Sequence, residues 1–283
     1  MIFNKIGLAV TFSPNGKALL LEAGRLSRLC NSELLLIHIG KKDANLENSL
    51  KSLIAESGLR ENEFRIIWET GDPAKVILKV CENEKIDLLI AGALEKERTL
   101  KYYAGSIARK IMREAGCSVL IKIAPKNPPL PHNRICVSAV YSPEGENAVK
   151  KAYELAKLQN AEELVILKEF IVPGLAITVS DYGSVTEAEK NLADWQVEEK
   201  EKLILFAKEL NLTGINIKTE CLYGKEGYEA GKYVKNFGGD LLVINSPRNR
   251  LKLFDRIFQH DLEFLFESIP CDLLLLKPEK GNE

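Results

Sequence analysis

Residues 85–123 read KIDLLIAGALEKERTLKYYAGSIARKIMREAGCSVLIKI, and they contain a complete strand–helix–strand unit. The apolar run Asp87–Ala91 predicts a strand, and apolar residues at helical spacing over Ser106–Glu114 predict a helix that Gly116 ends. A second strand is predicted at Ser118–Ile123. Both strands are continuously apolar, which indicates burial on both faces of a sheet. Strands joined through a helix in this way lie parallel, so the stretch predicts an α/β fold.

The same alternation extends upstream to the start of the chain. Predicted strands lie at Ile6–Val10, Glu33–Ile39 and Phe64–Trp68, and predicted helices lie at Lys17–Leu29, Leu46–Glu56 and Pro73–Glu82. Five short strands separated by helices predict a doubly wound, Rossmann-like parallel sheet with helices on both faces. In such sheets, ligands bind beyond the carboxyl ends of the strands, where the strand order reverses.

The chain then repeats itself. Phe12–Gly16, which reads FSPNG, matches YSPEG at Tyr141–Gly145, and the DLL of Asp87 matches the DLL of Asp240. Agreement at separated places argues for an internal duplication. Strands are predicted in the second copy at Ile135–Val140, Leu164–Leu167, Asn216–Glu220, Asp240–Ile244 and Asp272–Leu276, with a helical stretch at Glu187–Leu210.

The duplication predicts two tandem domains. Four prolines in residues 124–133 predict a stiff linker, because proline lacks the amide hydrogen and fixes φ. We therefore expect a first domain at residues 1–124, a linker at 125–133 and a second domain at 134–279. The second copy carries an insertion near residues 168–190, which is expected to form a surface loop or a short lid.

Composition excludes several classes of function. The chain has 39 basic and 40 acidic residues, so no global positive field attracts nucleic acid or a membrane surface. No apolar run is long enough to cross a membrane, and the first residues lack the sections of a signal peptide, so we expect a cytoplasmic protein. The six cysteines show no zinc spacing and are expected to be reduced thiols; no metal site and no catalytic residue can be identified.

The segment from Gly92 to Ser106 resembles the nucleotide loop of the universal stress protein family, which has the form G-x2-G-x9-G-[ST]. Gly92, Gly105 and Ser106 fit that pattern with its spacing. Gly71-Asp72-Pro73 resembles the family's GDP element, and the closing strand Cys117–Ile121 is also similar. The resemblance covers nearly all of the first copy and, more weakly, the second. It implies the adenine nucleotide alpha hydrolase-like fold in each copy.

The resemblance also implies a binding site in the first domain for ATP or another adenine nucleotide. Gly92, Gly105 and Ser106 would hold phosphate through backbone amides and a helix N-terminus, with an ordinary serine cap as the alternative role of Ser106. The backbone of Ile39 would face the adenine, and Thr11 would lie nearby.

Three departures from the family pattern weaken that site. The family's loop is rich in small residues, whereas Lys96–Lys101 is highly charged here and is expected to be a solvated face. Glu95 replaces the second loop glycine, and Thr11 stands where nucleotide-binding members carry an aspartate. The second copy has no glycine in the corresponding loop, where Asn245 replaces Gly92 and Gln259-His260 replaces Gly105-Ser106, so no nucleotide is expected there.

The family implies a stress-linked regulatory or binding protein rather than an enzyme. Two alternatives remain open, a nucleotide-free scaffold for protein partners and a slow nucleotide hydrolase. Family members commonly dimerise through the last strand of the sheet. We therefore expect residues 118–123 and 272–277 to face each other within one chain as an internal pseudo-dimer, with further homodimerisation left open.

Overall fold

The computed structural model describes residues 2–96, 101–171, 182–225, 227–246, 265–266 and 268–278. The first half of the chain contains seven strands and four helices. They are β1 (Lys5–Ala9), α1 (Gly16–Cys30), β2 (Glu33–Ile39), α2 (Ala44–Ser57), β3 (Phe64–Glu69), α3 (Pro73–Asn83), β4 (Leu88–Gly92), β5 (Leu94–Lys96), β6 (Lys101–Tyr103), α4 (Ser106–Glu114) and β7 (Ser118–Lys122).

The second half repeats this order without counterparts of the short strands β5 and β6 and of helix α4 among its described elements. Its elements are β8 (Arg134–Ser138), α5 (Pro143–Gln159), β9 (Glu163–Phe170), α6 (Tyr182–Glu209), β10 (Asn216–Tyr223), α7 (Tyr228–Phe237), β11 (Leu241–Asn245) and β12 (Asp272–Leu276). No helix within the described ranges combines the length and the apolar character that a membrane crossing needs.

Ten of these strands form one continuous sheet in the order β10-β9-β8-β11-β12-β7-β4-β1-β2-β3. Each half contributes five neighbouring parallel strands in the same relative order, with its first strand between its second and fourth. Helices α1, α2, α5 and α6 pack on one face, and α3, α4 and α7 pack on the other. The α/β fold with helices on both faces of a mostly parallel sheet is therefore confirmed.

Burial on both faces explains the apolar strands. Leu34, Leu35 and Leu36 in β2 are all at most 1% exposed. Each such leucine contributes about 1.5–3 kcal/mol through removal from water. The helices between the strands end where the sequence supplies a residue that tolerates a left-handed backbone. Asn31 ends α1 and Asn160 ends α5, at φ values of 53° and 55°.

Equivalent glycines close the turn after the first strand of each half. A Cβ on Gly16 would lie 2.4 Å from the carbonyl oxygen of Thr11, and one on Gly145 would lie 1.8 Å from that of Val140. No real side chain tolerates such a contact with backbone. The matching FSPNG and YSPEG segments therefore carry glycine at their last position for a steric reason.

Equivalent aspartates hold the start of the first strand in each half. The carboxylate of Asp87 accepts hydrogen bonds from the amides of Asn4 at 2.8 Å and Lys5 at 3.0 Å. The carboxylate of Asp240 accepts from the amides of Asn133 at 2.7 Å and Arg134 at 3.2 Å. Each aspartate therefore ties the residue before the fourth strand of its half to the start of the first strand, its parallel neighbour.

The two halves meet at an antiparallel pair formed by β7 and β12. Leu120 lies opposite Leu274 at its centre, and the flanking pairs are related by a local two-fold axis. The ends of the pair also correspond. The Asp272 carboxylate accepts from the amide of Ile123 at 2.8 Å, and the Ser118 hydroxyl accepts from the amide of Lys277 at 3.1 Å.

A buried polar cluster lies at one end of this junction. Lys122 forms ion pairs with Asp272 and with Glu22, the latter at 3.3 Å, and the side chains of all three are at most 8% exposed. His132, from the proline-rich segment, lies 2.7 Å from Asp272 through its Nε2. Gln159 lies 3.1 Å from the other ring nitrogen of His132, which leaves the imidazole enclosed by hydrogen-bonding partners.

Charge attraction overcomes burial in this cluster. Burial opposes ionisation of Asp272, but the hydrogen bond from His132 and the charge of Lys122 lower its pKa. Burial likewise opposes ionisation of Glu22, and the hydrogen bonds from Arg25 with the charge of Lys122 lower its pKa. Both carboxylates are therefore ionised within the core near neutral pH.

The structure corrects the expectation of a loop or lid across residues 168–190. Strand β9 continues to Phe170, and helix α6 already begins at Tyr182, so both ends of this segment are regular structure. Residues 172–181 lie outside the described residues. The strand continues because the carboxylate of Glu169 accepts hydrogen bonds from the amides of Gly227 at 3.0 Å and Ala230 at 2.8 Å, which satisfies a buried charge.

Candidate functional site

The candidate site lies at the carboxyl edge of the sheet, where the strand order of the first half reverses. Strand β1 lies between β2 and β4, and the chain leaves it on one side for β2 and β3 and on the other for β4 and β7. This is the place where doubly wound sheets bind ligands. Thr11 follows β1, Ile39 ends β2 and Gly92 ends β4, so parallel pairing brings these three predicted residues to one edge.

Gly92 leaves room for the helix that covers the sheet. It pairs with Lys122 in β7, and a Cβ at this position would lie 3.0 Å from Cδ1 of Leu19 in α1. That distance is closer than most side-chain contacts allow. The close approach of α1 to β4 therefore favours glycine here before any ligand is considered.

Gly105 and Ser106 form the start of α4, as the loop pattern predicts. Gly105 is the N-cap, has an extended backbone and supplies no side-chain hydrogen bond to the helix. Ser106 is the first helical residue and is exposed. The first amides of a helix have no partner within it, and the helix dipole adds partial positive charge at that end. The uncapped end is suited to an anion such as phosphate.

The segment between Gly92 and Gly105 differs from an open loop. Strands β5 and β6 pair antiparallel in it, with Leu94 opposite Tyr103 and Glu95 opposite Tyr102. The charged run that was expected to be a solvated face, residues 96–101, is thus partly strand, and residues 97–100 lie outside the described residues. The backbone of this segment is shaped by a hairpin, which the sequence pattern did not predict.

The last residue of this segment before α4 is tied to the second half of the chain. The amide of Ala104 donates to the carbonyl oxygen of Phe266 at 2.9 Å, and the carbonyl of Ala104 accepts from Nε of Arg109 at 2.8 Å. Ala104 is only 1% exposed. The start of α4 is therefore held by Arg109 of the same helix and by Phe266 of the second half.

Three aromatic rings lie beside the predicted adenine position. The ring of His38 is 5.0 Å from that of Phe12 and 4.5 Å from that of Trp68. Nε1 of Trp68 donates to the carbonyl of Gly40 at 2.8 Å, and the buried His38 ring lies 3.3 Å from the carbonyl of Val10. Phe12 remains 43% exposed and offers a flat apolar surface at the site.

Thr11 and Ile39 already make contacts within the protein at the positions where the resemblance placed them beside the nucleotide. The Thr11 hydroxyl donates to Oγ of Ser13 at 3.0 Å, and the Thr11 carbonyl faces Gly16. Ile39 is held in β2 opposite Glu69 of β3 and is half-buried. All five predicted residues thus lie at one edge of the sheet. Of these five, Gly105 and Ser106 are the two that lie at the start of a helix.

The corresponding edge of the second half repeats a contact of the first, where the amide of Ala93 donates to the carbonyl of Lys122 at 2.9 Å. Asn245 ends β11, the amide of Ser246 donates to the carbonyl of Leu276 at 2.7 Å, and the Ser246 hydroxyl lies 3.4 Å from Nζ of Lys277. Gln259 and His260, with the rest of residues 247–264, lie outside the described residues. Sequence reasoning missed Glu169, whose carboxylate occupies the N-terminus of α7.

A pocket of about 390 Å³ lies away from this edge, between α1 and the amino ends of β2 and β3. Its charged side chains already pair with one another, since Arg28 lies 3.4 Å from Glu63 and Arg65 lies 3.5 Å from Glu33. In the described part of the chain, no three His, Cys, Asp or Glu side chains come together as metal ligands would.

Comparison with known proteins supports the fold and matches the first part of the chain to a family model. Residues 2–122 match the model of the universal stress protein family. A universal stress protein of Methanothermobacter thermautotrophicus is 36% identical over 56 residues, which cover 20% of this chain and 38% of that protein's length.

Two solved structures align over almost the whole chain, each at 17% identity, and they show the fold. A functionally unknown protein of Pseudomonas aeruginosa PAO1 has a TM-score of 0.72, with 98% of this chain and 93% of that chain covered. A universal stress protein of Archaeoglobus fulgidus has a TM-score of 0.63, with 96% and 98% covered. The first 122 residues of this chain thus match the universal stress protein family model, and the whole chain shares the fold of these two structures.

Proposed function

We propose that the first half of the chain binds an adenine nucleotide and that the second half does not bind one in the same manner. In this proposal the halves are two domains, residues 1–124 and 134–279, joined by the linker at 125–133. The protein acts in the cytoplasm as a stress-linked regulator, and its second domain serves as a structural or partner-binding half.

The observation that carries the proposal is the start of α4 at the strand-order reversal. Gly105 leaves the helix without a side-chain cap, and Ser106 is exposed beside it. The amides of this turn and the Ser106 hydroxyl are the phosphate donors in our proposal, with Gly92 at the neighbouring strand end. The backbone of Ile39 and the exposed ring of Phe12 border the base, and Thr11 lies between them and the phosphates.

The second half lacks this combination. No glycine lies between Asn245 and Arg250, where the first half has Gly92 and the loop that leads to α4. The N-terminus of α7, the counterpart of α3, already binds the Glu169 carboxylate and so offers no free amides to a phosphate. One nucleotide per chain is therefore expected.

Equilibrium binding of labelled ATP to the full chain tests the proposal. We expect saturable binding with one site per chain, weakened at least about tenfold by Ser106→Ala, because a hydrogen bond to a charged group contributes about 1.5–3 kcal/mol. Ser52→Ala is the matched control, since Ser52 is an exposed serine on α2 whose hydroxyl bonds Glu56. The control should bind as the unmodified chain does.

The alternatives give different results in the same system. Absence of ATP binding at millimolar concentration would refute the proposal and favour the scaffold. Binding together with steady release of phosphate would favour the slow hydrolase, and Glu95→Gln would then test whether the Glu95 carboxylate acts as the base.

A further inference from the structure

Strand β10 forms one end of the ten-stranded sheet. It pairs with β9 over its whole length of eight residues, Asn216–Tyr223, and no described strand pairs with its outer side. An edge of this kind presents unpaired amide and carbonyl groups that another strand can join, and proteins often block such edges with short strands or proline. β10 is longer than most strands and contains no proline, so neither device blocks it.

The backbone groups on the outer side of β10 belong to alternate residues. The amide of Gly224 donates to the carbonyl of Phe170 at 3.0 Å, so this amide points toward β9. Backbone groups alternate in direction along a strand, and those of Ile217, Thr219 and Cys221 therefore point away from β9. These three residues supply the hydrogen-bonding groups of the edge.

The charges of β10 select how two copies of the chain can pair. Residues opposite each other in an antiparallel pair both point their backbone groups into the pair or both away from it, so a two-fold axis passes through a residue. An axis at Lys218 or at Glu220 would place identical charges directly opposite each other, which is destabilising. An axis at Thr219 places Lys218 opposite Glu220 of the second copy, and it does so twice.

The register centred on Thr219 also satisfies the backbone of the edge. It brings residues 216–222 of the two copies opposite each other, whereas an axis at Ile217 or Cys221 would align fewer strand residues. Thr219 lies opposite its own copy, and Ile217 lies opposite Cys221 on either side. These three pairs exchange about six backbone hydrogen bonds in total. The charged residues fall in the pairs between them, where side chains come closer together.

The side chains at this edge can make the required contacts. Lys218 keeps 49% of its side chain exposed, although its Nζ lies 2.6 Å from Oε2 of Glu163. An ammonium group has three donors, so the exposed Glu220 of a second copy can share it. On the other face of the sheet, Ile217 and Cys221 are half-buried against the apolar cluster that α6 covers, and the pairing extends that cluster across the axis.

The opposite end of the sheet offers a weaker contact. Strand β3 has six residues, and an axis at Ile67 would bring Arg65 opposite Glu69 of a second copy over residues 65–69. This aligned stretch is shorter than that of β10. Arg65 is also already shared between Glu84 and Glu33 of its own chain, so it would gain less from a further carboxylate.

We propose that two copies of this chain associate through β10, paired antiparallel about a two-fold axis at Thr219. The contact uses the same surface of both copies, so it closes at two chains and joins their two sheets into one. β10 lies at the far end of the sheet from the half that carries Gly92 and α4. The association therefore does not depend on whether a nucleotide binds.

Sedimentation of the full chain over a concentration series tests the proposal. We expect a reversible rise toward the mass of two chains. Glu220→Lys should weaken the association about tenfold or more, because it turns two attractive pairs into two repulsive ones. Glu69→Lys is the matched control, since it makes the same charge change at an exposed position of the edge strand β3 and should associate as the unmodified chain does.

Two changes at the axis test the register. Thr219→Pro removes an outward amide and leaves the bonds to β9 in place, so this variant should sediment as a single chain. Thr219→Cys should form a disulfide between two copies under mild oxidation, because opposite residues of a hydrogen-bonded pair lie about 5.5 Å apart at Cα. Thr213→Cys, which lies before the strand, should stay unlinked.

The unmodified chain decides the proposal even where a variant fails to fold. The proposal is overturned if the unmodified chain sediments as a single chain at every concentration. Growth beyond two chains would also overturn it, since an open series needs contact between unlike surfaces. So would an association that Glu69→Lys weakens as much as Glu220→Lys does.

Discussion

Replacing Lys122 by methionine probes the buried cluster at the junction of the two halves. Methionine preserves most of the side-chain volume but removes the charge that faces Asp272 and Glu22. Breaking a buried ion pair from one side costs about 3–5 kcal/mol, because the remaining charge keeps its burial and loses its partner. Asp272 keeps the bonds from His132 and Ile123, and Glu22 keeps Arg25, so we expect about 3 kcal/mol.

Urea unfolding followed by circular dichroism measures this loss directly. Thermal unfolding gives a second measure of the same loss. For a chain of 283 residues, the unfolding entropy is about 0.6 kcal/mol per degree, so a loss of about 3 kcal/mol lowers Tm by about 5 °C. Lys5→Met is the matched control, since Lys5 pairs with Glu33 at 3.1 Å while both side chains remain partly exposed. An exposed pair contributes less than about 1 kcal/mol.

The stabilities of the two variants show whether Lys122 stabilises the fold through its buried ion pairs. If Lys122→Met is as stable as the unmodified chain, or if Lys5→Met costs the same, then Lys122 does not compensate the buried carboxylates and the reasoning fails. A double variant with Asp272→Asn should lose clearly less than the sum of the two single losses, because the paired charges are coupled.

Two further predictions follow from contacts at the turns and in the cluster. Gly145→Ala should lower the free energy of unfolding in urea by about 1–3 kcal/mol, and by more than Gly16→Ala does. The reason is that its Cβ would lie 1.8 Å from a backbone oxygen, compared with 2.4 Å at position 16. Equal stability of Gly145→Ala and the unmodified chain would contradict this. Folding lowers the pKa values of Asp272 and Glu22 from 3.8 and 4.5, so their contribution to stability is present above those values and is lost as pH falls further. Urea unfolding across this acid range should show a smaller acid-dependent loss in Lys122→Met, because its folded carboxylates have pKa values closer to the unfolded ones, and identical pH profiles would count against the assignment.

The strands of the sheet could be predicted because their burial on both faces leaves a continuous apolar run. Asp272–Leu276 and the helix Ser106–Glu114 have the predicted bounds. Strand β9 was predicted to end at Leu167, and the prediction was wrong since Lys168 and Glu169 break the apolar run. The buried Glu169 is accommodated in the strand because the start of α7, from a distant part of the chain, supplies two amide donors.

The candidate site could be predicted in outline for a similar reason. Parallel strands bring their carboxyl ends to one edge, so Gly92 and the start of α4 meet there wherever the intervening segment runs. The hairpin in that segment could not be predicted, because half of its residues 94–103 are charged and the segment shows no alternating pattern.

The buried cluster had no sequence signal at all. Glu22, Lys122, His132 and Asp272 come from a helix, two strand ends and the proline-rich segment, and each reads locally as a surface residue. Their burial depends on the junction between the halves, which only the assembled sheet creates.

The junction between β7 and β12 also determines what kind of asymmetry the molecule can have. In a symmetric dimer both subunits contribute the same surface to the interface, so any charge at the junction occurs twice. Here Lys122 and Asp272 occupy one end of the seam, and their counterparts at the other end are Leu276 and Ser118. Because one polypeptide carries both strands, dilution cannot separate them, and each side is free to acquire mutations that its twin does not share.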